Sequence, residues 1–353
     1  MAKTRSTRIS PNTFWLNVTD FCNNKCVWCY EKEMNDHHQK IPISLAKQII
    51  FTMSRVGATE CLLIGGEPTL HDDLPSIVSF VKETGMRAVL ITNGRKLAKR
   101  DVVESLRISS VDSINVSVHG WDAVSYLQLT GASKGFSEMA QGISNVRESG
   151  IDIAASFVLS RHVIGHMESI VESIAKLGFS RVEYNMGSPS VGKDAIDGSF
   201  LIPIDMQKEI VLEACRLSVE YGVFPGFNLN IPHCLFSQDE FKILNEHAYI
   251  SSGCTIRSGS GVIYKIDGSL AVCNHLLDFP VAAGLDAGKL LDSGKFSSFW
   301  NSVSMAAVRE EITCYHHESC AVCPHWEACA GGCPINWMYF NPDEVDLHPI
   351  GVV

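Results

Sequence analysis

Asp20-Phe21-Cys22-Asn23-Asn24-Lys25-Cys26-Val27-Trp28-Cys29-Tyr30 sets three cysteines at C-x3-C-x2-C spacing. Three thiolates are one fewer than the irons of a cubane iron–sulfur cluster, so one iron stays open. An open iron can hold a substrate or cofactor, whereas a four-thiolate cluster is closed and only passes electrons. Zinc is the plainer alternative, but it takes four ligands at C-x2-4-C spacings, and no fourth cysteine follows within thirty residues. His37 and His38 would have to complete a zinc knuckle.

The chain around this run has 353 residues, 46% hydrophobic and only 19% charged. That composition predicts a folded globular chain. Its length suits one βα barrel of about 250 residues with an appendage. Net charge is -10, and no Lys/Arg block could track a phosphate backbone, which argues against a nucleic-acid partner. The basic opening is followed by no apolar signal core, and no apolar run approaches about 18 residues. A cytoplasmic protein with no membrane partner is expected. Thirteen cysteines in such a compartment call for metal or redox chemistry, because disulfides are rare there. Cys61 and Cys215 read as buried core thiols, in a strand and in a helix at Asp205–Tyr221.

From Trp15 to about Phe227, short apolar runs alternate with helical stretches, the pattern of βα units around a parallel sheet. The predicted strands are Phe14–Val18, Glu60–Ile64, Ala88–Ile91, Ser113–Val118, Ile153–Val158 and Arg181–Tyr184. Leu74, Ile77, Val78 and Val81 recur at helical spacing before the stop at Gly85, and Ile143 and Val146 do so before Gly150. Six such units make an open, partial (β/α)6 TIM-like barrel of the α/β class. Chemistry in parallel barrels sits at the C-terminal strand ends. There this chain places the cysteine loop, Gly65-Gly66-Glu67-Pro68, Thr92-Asn93-Gly94, His119-Gly120, Ser160-Arg161 and Asn185-Met186-Gly187-Ser188. Composition shifts near residue 230, where Gly and Cys rise. The expected divisions are a tail at 1–12, the barrel at 13–230 and a Cys-rich domain at 231–353, with no room for an N-terminal accessory domain.

The cysteine run and the Gly-Gly-Glu-Pro loop one βα unit later resemble the radical S-adenosylmethionine (radical SAM) family. The resemblance implies that Cys22, Cys26 and Cys29 hold a [4Fe-4S] cluster whose open iron chelates S-adenosylmethionine. By the same resemblance Gly65, Gly66, Glu67 and Pro68 hold the methionyl amine, and Tyr30 packs near the adenine. Ser117 and Arg161 match weaker family positions toward the ribose or carboxylate. As plain residues, the loop is a tight turn, Arg161 a solvated charge and His119 a satisfied, partly buried histidine; His119 stands where relatives often carry Asp.

Cys320-x2-Cys323-x5-Cys329-x3-Cys333, with Cys254 and Gly268-Ser269-Leu270-Ala271-Val272-Cys273 upstream, resembles a SPASM domain, a twin-cluster extension of peptide and protein maturases. The resemblance implies two auxiliary [4Fe-4S] clusters, one on Cys254, Cys273 and Cys333, the other on Cys320, Cys323 and Cys329. The family's closing cysteine is absent after Cys333. Cys314 is the first choice to complete the second set, with Asp346 and His348 as other candidates, and Cys234 is the nearby candidate for the first. A zinc ribbon is the alternative use of Cys-x2-Cys.

The implied activity is radical SAM modification of a ribosomally made peptide, by a carbon–carbon or thioether crosslink, with a flavodoxin- or ferredoxin-type reductant. The leader is expected to be short or bound by a separate protein. Alternatives are a peptide epimerase with Cys234 as hydrogen donor, a sulfatase maturase or small-molecule dehydrogenase, and a non-catalytic iron–sulfur carrier or sensor.

Overall fold

A computed structural model describes residues 9–31, 38–192, 195–279, 281, 287–312 and 317–345. Cys314, Asp346, His348 and His37 lie outside the described residues. Strands β1 (Thr13–Thr19), β2 (Glu60–Gly65), β3 (Arg87–Thr92), β4 (Ser113–Ser117), β5 (Asp152–Leu159) and β6 (Arg181–Met186) lie side by side, parallel, in chain order. Parallel neighbours need long crossovers. Helices α1 (Ile43–Val56), α2 (Leu74–Glu83), α3 (Arg100–Ile108), α4 (Ala123–Thr130), α5 (Gly135–Ser149) and α6 (Met167–Lys176) lie in those between β1 and β6, and α7 (Ile204–Glu220) follows. The α/β architecture expected from the sequence is present.

Alternation along each strand divides the sheet into two faces. Phe14, Leu16, Cys61, Leu63, Leu90, Ile114 and Val116 are fully buried in one core with Ile49, Ile50, Ile77, Val78, Val81, Val146, Ile170 and Ile174 of the helices. These helix positions recur at three- and four-residue spacing, so each helix buries one stripe. Cys215 is also buried in α7. The opposite face, with Trp15, Leu62, Ile91, Asn115 and Ser156, lines a single cavity.

The sheet does not stop at six strands. After a small antiparallel pair, β7 (Ser190–Val191) and β8 (Ile196–Asp197), strand β9 (Phe224–Asn228) joins β6 in parallel. Strand β10 (Tyr249–Ser251) then joins β9. At the other edge β11 (Gly261–Tyr264) runs parallel to β1, and β12 (Leu270–Ala271) pairs antiparallel with β11. The ten strands are ordered β10-β9-β6-β5-β4-β3-β2-β1-β11-β12, and the two end strands do not pair, so the barrel is open. Chain beyond residue 230 therefore extends both edges of the sheet.

The remaining described helices are short: α8 (Gln238–His247), α9 (Thr255–Ser258), α10 (Ser293–Trp300), α11 (Val303–Glu311) and α12 (Trp326–Cys329). An aromatic chain from Phe14 through Tyr264 and Phe296 to Trp300, with centroids 5.7–6.5 Å apart, docks α10 on the barrel. Trp300 Nε1 donates to Gly259 O at 3.0 Å. No helix among the described residues is long and apolar enough to cross a membrane.

Candidate cofactor site and its cysteine groups

The cysteine loop leaves β1 and is held first by the end of β2. Gly66 N donates to Thr19 O at 2.7 Å and Glu67 N to Phe21 O at 2.8 Å. A Cβ on Gly65 would collide with the Thr19 carbonyl oxygen, and one on Gly66 with that of Phe21. Gly65 also has φ +139, which disfavours any side chain. The close backbone approach made by these glycines is to the root of the cysteine loop.

Glu67 is fully buried and works within the fold. Its Oε1 accepts from Thr69 N at 3.0 Å, Thr92 Oγ1 at 2.6 Å and Thr69 Oγ1, while Oε2 accepts from Asn93 N at 2.7 Å. Burial raises its pKa, and these donors oppose the rise. The carboxylate thereby fastens the loop after β2 to the loop after β3.

That second loop carries Arg95, which the motifs did not single out, beside Asn93. Arg95 pairs with Glu138 at 2.7 Å and donates from Nη1 to Asn23 O and to Asn24 Oδ1, the latter at 3.0 Å. Asn93 Nδ2 donates to Asn23 Oδ1 at 2.7 Å. From the other side Asn24 Nδ2 donates to the Tyr126 hydroxyl at 3.0 Å, and Lys25 N and Val27 N donate to Thr130 O and Leu129 O of α4. The loop is thus gripped by β2, the β3 loop and α4. Asn23-Asn24 inside the run and Asn93-Gly94 after β3 were the visible signals, but their pairing depends on the fold.

Burial pushes the Cys22 thiol up to about 12, with further contributions from Glu67 and Cys29. Cys26 is raised well above its usual value by burial, then by Cys29 and Cys22. These mutually opposed thiols fit a cationic iron centre, because a coordinating thiol is deprotonated outright by its metal. Among the described residues no three His, Cys, Asp or Glu side chains converge on a single ion. A cubane gives each thiolate its own iron, so its ligands stand farther apart than four that share one zinc.

The inner face of the sheet encloses a cavity of about 500 Å³, lined by both cysteine regions. Trp28 and Tyr30 of the N-terminal loop line it, as do Cys254, Cys273 and Cys333. Tyr30 packs on His275 with centroids 5.3 Å apart. His275 also lines the cavity; burial lowers its pKa to about 4, and its Nδ1 has no partner. Between these ends runs an amide ladder. Asn228 Nδ2 donates to Asn185 Oδ1 at 3.4 Å, Asn185 Nδ2 to Ser156 Oγ at 3.1 Å, and Asn230 Nδ2 to Ser188 Oγ at 2.5 Å. Glu183 faces the same space, its pKa raised by burial.

Other expected positions fall less centrally. Ser117 follows cavity-lining Asn115 by two residues on β4, hence on the same face, without lining the cavity itself. The His119 ring lies tilted against Trp28 with centroids 5.8 Å apart, and burial lowers its pKa to about 4. Arg161 is exposed, its Nη1 donating to Ser199 O at 3.1 Å, and does not line the cavity. Pro68 opens the short turn after Glu67 and is buried.

The C-terminal cysteines form two groups. Cys333 is pushed up to about 12 by burial and then by Cys273, with Cys254 contributing. Cys273 is pushed up to about 11 by burial, with Cys254 contributing. Cys234 reaches about 12 through burial and then Cys329, Cys320 and Cys323. Cys254, Cys273 and Cys333 thus keep company at the cavity. Cys234 neighbours the other three and is not among the residues lining the cavity.

Residues 16–178 match the Radical SAM superfamily. Fe-coproporphyrin III synthase of Methanosarcina barkeri is 28% identical over 67% of this chain and 59% of its own length. A probable GTP 3',8-cyclase of Sulfolobus acidocaldarius is 31% identical over 41% of this chain and 46% of its own. The chain thus spans roughly half of these curated relatives. In fold, Streptococcus suis SuiB bound to precursor peptide SuiA superposes over 94% of this chain and 73% of its own, with TM-score 0.72 and 16% identity. Native anSMEcpe with bound AdoMet and Cp18Cys peptide superposes over 96% and 93%, with TM-score 0.66 and 13% identity.

Proposed function

We propose, from a chain whose residues 16–178 belong to the Radical SAM superfamily, that this protein modifies a ribosomally made peptide, forming a carbon–carbon or thioether crosslink. One observation carries the reading: a single cavity is bounded by Trp28 and Tyr30 of the N-terminal cysteine loop and by Cys254, Cys273 and Cys333. Cys22, Cys26 and Cys29 would hold a [4Fe-4S] cluster with S-adenosylmethionine, and the two C-terminal groups would hold auxiliary clusters. When bound, these groups supply reductive cleavage of S-adenosylmethionine, hydrogen abstraction by the 5′-deoxyadenosyl radical and uptake of the substrate electron.

The chain's own residues bind and orient. Glu67 Oε1 is taken up by Thr69 and Thr92 while Oε2 accepts one hydrogen bond, from Asn93 N, so Oε2 and the backbone of the Gly65–Glu67 turn are the acceptors for the methionyl amine. Tyr30 and Trp28 line the cavity on the side of the N-terminal loop. Asn115, Asn185, Asn228 and Asn230 present amide donors and acceptors, the chemistry that pairs with peptide main chain. The solved neighbours in complex with peptides, SuiB and anSMEcpe, are consistent with a peptide substrate.

Co-expression with peptides encoded beside the gene, followed by mass spectrometry, tests this. A crosslink removes two hydrogens from the peptide. An unchanged mass with deuterium taken from solvent would indicate epimerisation instead, and unmodified peptides with turnover of a small molecule would overturn the peptide reading.

A further inference from the structure

Residues 230–236 pack directly on the C-terminal cysteine run. Cys333 N donates to Asn230 O at 2.8 Å, and Asn336 Nδ2 donates to the same oxygen at 3.0 Å. Gly332, at φ +83, lies so near that a Cβ there would sit 3.0 Å from Ile231 C and Pro232 N. His233 N donates to Cys329 Sγ at 3.3 Å. A single 3-10 turn, His233–Leu235, carries the next residue, Cys234, on which Cys329 acts electrostatically.

We propose that Cys234 is the fourth thiolate of the outer group, closing the set begun by Cys320, Cys323 and Cys329, a place the sequence pattern assigned to Cys314. This rests on the auxiliary-cluster reading above. Electrostatics agree with the packing, since the thiols that act on Cys234 are Cys329, Cys320 and Cys323, while those acting on Cys333 are Cys273 and Cys254. The fourth ligand comes from upstream of the run, on the turn that follows β9. With Cys234 in the outer set, the described cysteines left over are Cys61 and Cys215, both buried in the barrel core. The two C-terminal groups are therefore unlike: an outer one closed by four thiolates, none of which lines the cavity, and an inner one with three described thiolates facing it. A closed set passes electrons, and an open iron binds a ligand.

The test uses the full chain, reconstituted anaerobically, with iron content, Mössbauer spectra and EPR of the dithionite-reduced protein. Cys234→Ala should leave the outer cluster on three thiolates with one labile iron, read as about one iron lost of roughly twelve and a changed EPR signal, whereas the Cys320/Cys323/Cys329→Ala triple variant should lose about four, and Cys314→Ala should lose none. The EPR change on adding S-adenosylmethionine, reporting the N-terminal cluster, serves as the control for a folded barrel. Cys234→Ser, which keeps an oxygen ligand, should retain iron but shift the outer cluster's midpoint potential. Full iron and an unchanged potential in both Cys234 variants, while the triple variant loses a cluster, would overturn the assignment and leave the auxiliary reading intact. Full iron in the triple variant would remove both.

Discussion

The N-terminal cysteine loop and the C-terminal cysteine segment offer the same thiol chemistry on different supports. The first is fastened by the fold: glycines of β2 admit its root, Arg95 and Asn93 hold Asn23 and Asn24, and α4 receives its backbone. The second runs through turns of three to five residues, Glu318–Val322, Trp326–Cys329 and Asn336–Met338. Ala330, Gly331 and Gly332 there adopt positive φ in succession, and the segment is tied to its surroundings by the Arg257 and Ser252 side chains and the Asn230 backbone carbonyl. The difference teaches that a barrel can pre-form a cofactor cradle, whereas a segment without regular structure must draw its order from what its thiols bind.

The largest expected effect follows directly. Hydrogen exchange on metal-free and reconstituted protein should show the segment around Cys320–Cys333 protected only with metal, while β1–β6 are protected in both. Equal protection of the segment in the two forms would erase the contrast. A smaller effect concerns pH. His119 has its pKa lowered to about 4 by burial, against roughly 6.5 in an unfolded chain. Between those values the unfolded state binds the proton and the folded state does not. Barrel stability is therefore complete above about pH 6.5 and lost as pH falls towards 4, by at most about 3 kcal/mol. His119→Gln should reduce that slope in denaturation measured across this range, leaving the share of His233 and His275, whose pKa values burial also lowers to about 4, and an unchanged slope would locate the titration in those two.

Gly66→Ala comes next, because its Cβ would meet the Phe21 backbone; strain of roughly 2 kcal/mol is expected, read as a lower denaturation midpoint of metal-free protein. A neutral outcome would mean the β1–β2 approach yields easily and the cradle is not pre-formed. Arg95→Met should be smallest, about 1–2 kcal/mol for lost charge-assisted hydrogen bonds, seen as weaker iron retention at Cys22, Cys26 and Cys29 under chelator challenge with the C-terminal groups unaffected. Equal loss at all three groups would contradict a local role.

Periodicity made the barrel legible, since strands buried on one face and helices with single apolar stripes write themselves into the chain. The six strands lie within two residues of the ranges read from sequence. Strand β9 was not legible, because Phe224-Pro225-Gly226-Phe227-Asn228 carries two residues that normally mark a turn. Strands β10, β11 and β12 are too short to show a period. The cysteine groups at Cys22–Cys29 and Cys254/Cys273/Cys333 were visible through spacing and family resemblance. Arg95 and Tyr126 were not, since each meets the cysteine loop only after some 70 to 100 residues of intervening chain fold back. Cys234 was visible as a thiol, but its grouping depends on the packing of residues 230–233 against Cys329–Asn336.

The central claim is that this chain performs radical SAM chemistry at the Cys22, Cys26 and Cys29 loop. The most direct measurement is 5′-deoxyadenosine by mass spectrometry, after anaerobic incubation of reconstituted protein with S-adenosylmethionine and dithionite, beside the Cys22/Cys26/Cys29→Ala variant. Formation by the wild-type chain alone is the predicted result. Its absence from the fully iron-loaded wild type, with peptide present, or equal formation by the variant, would contradict the claim.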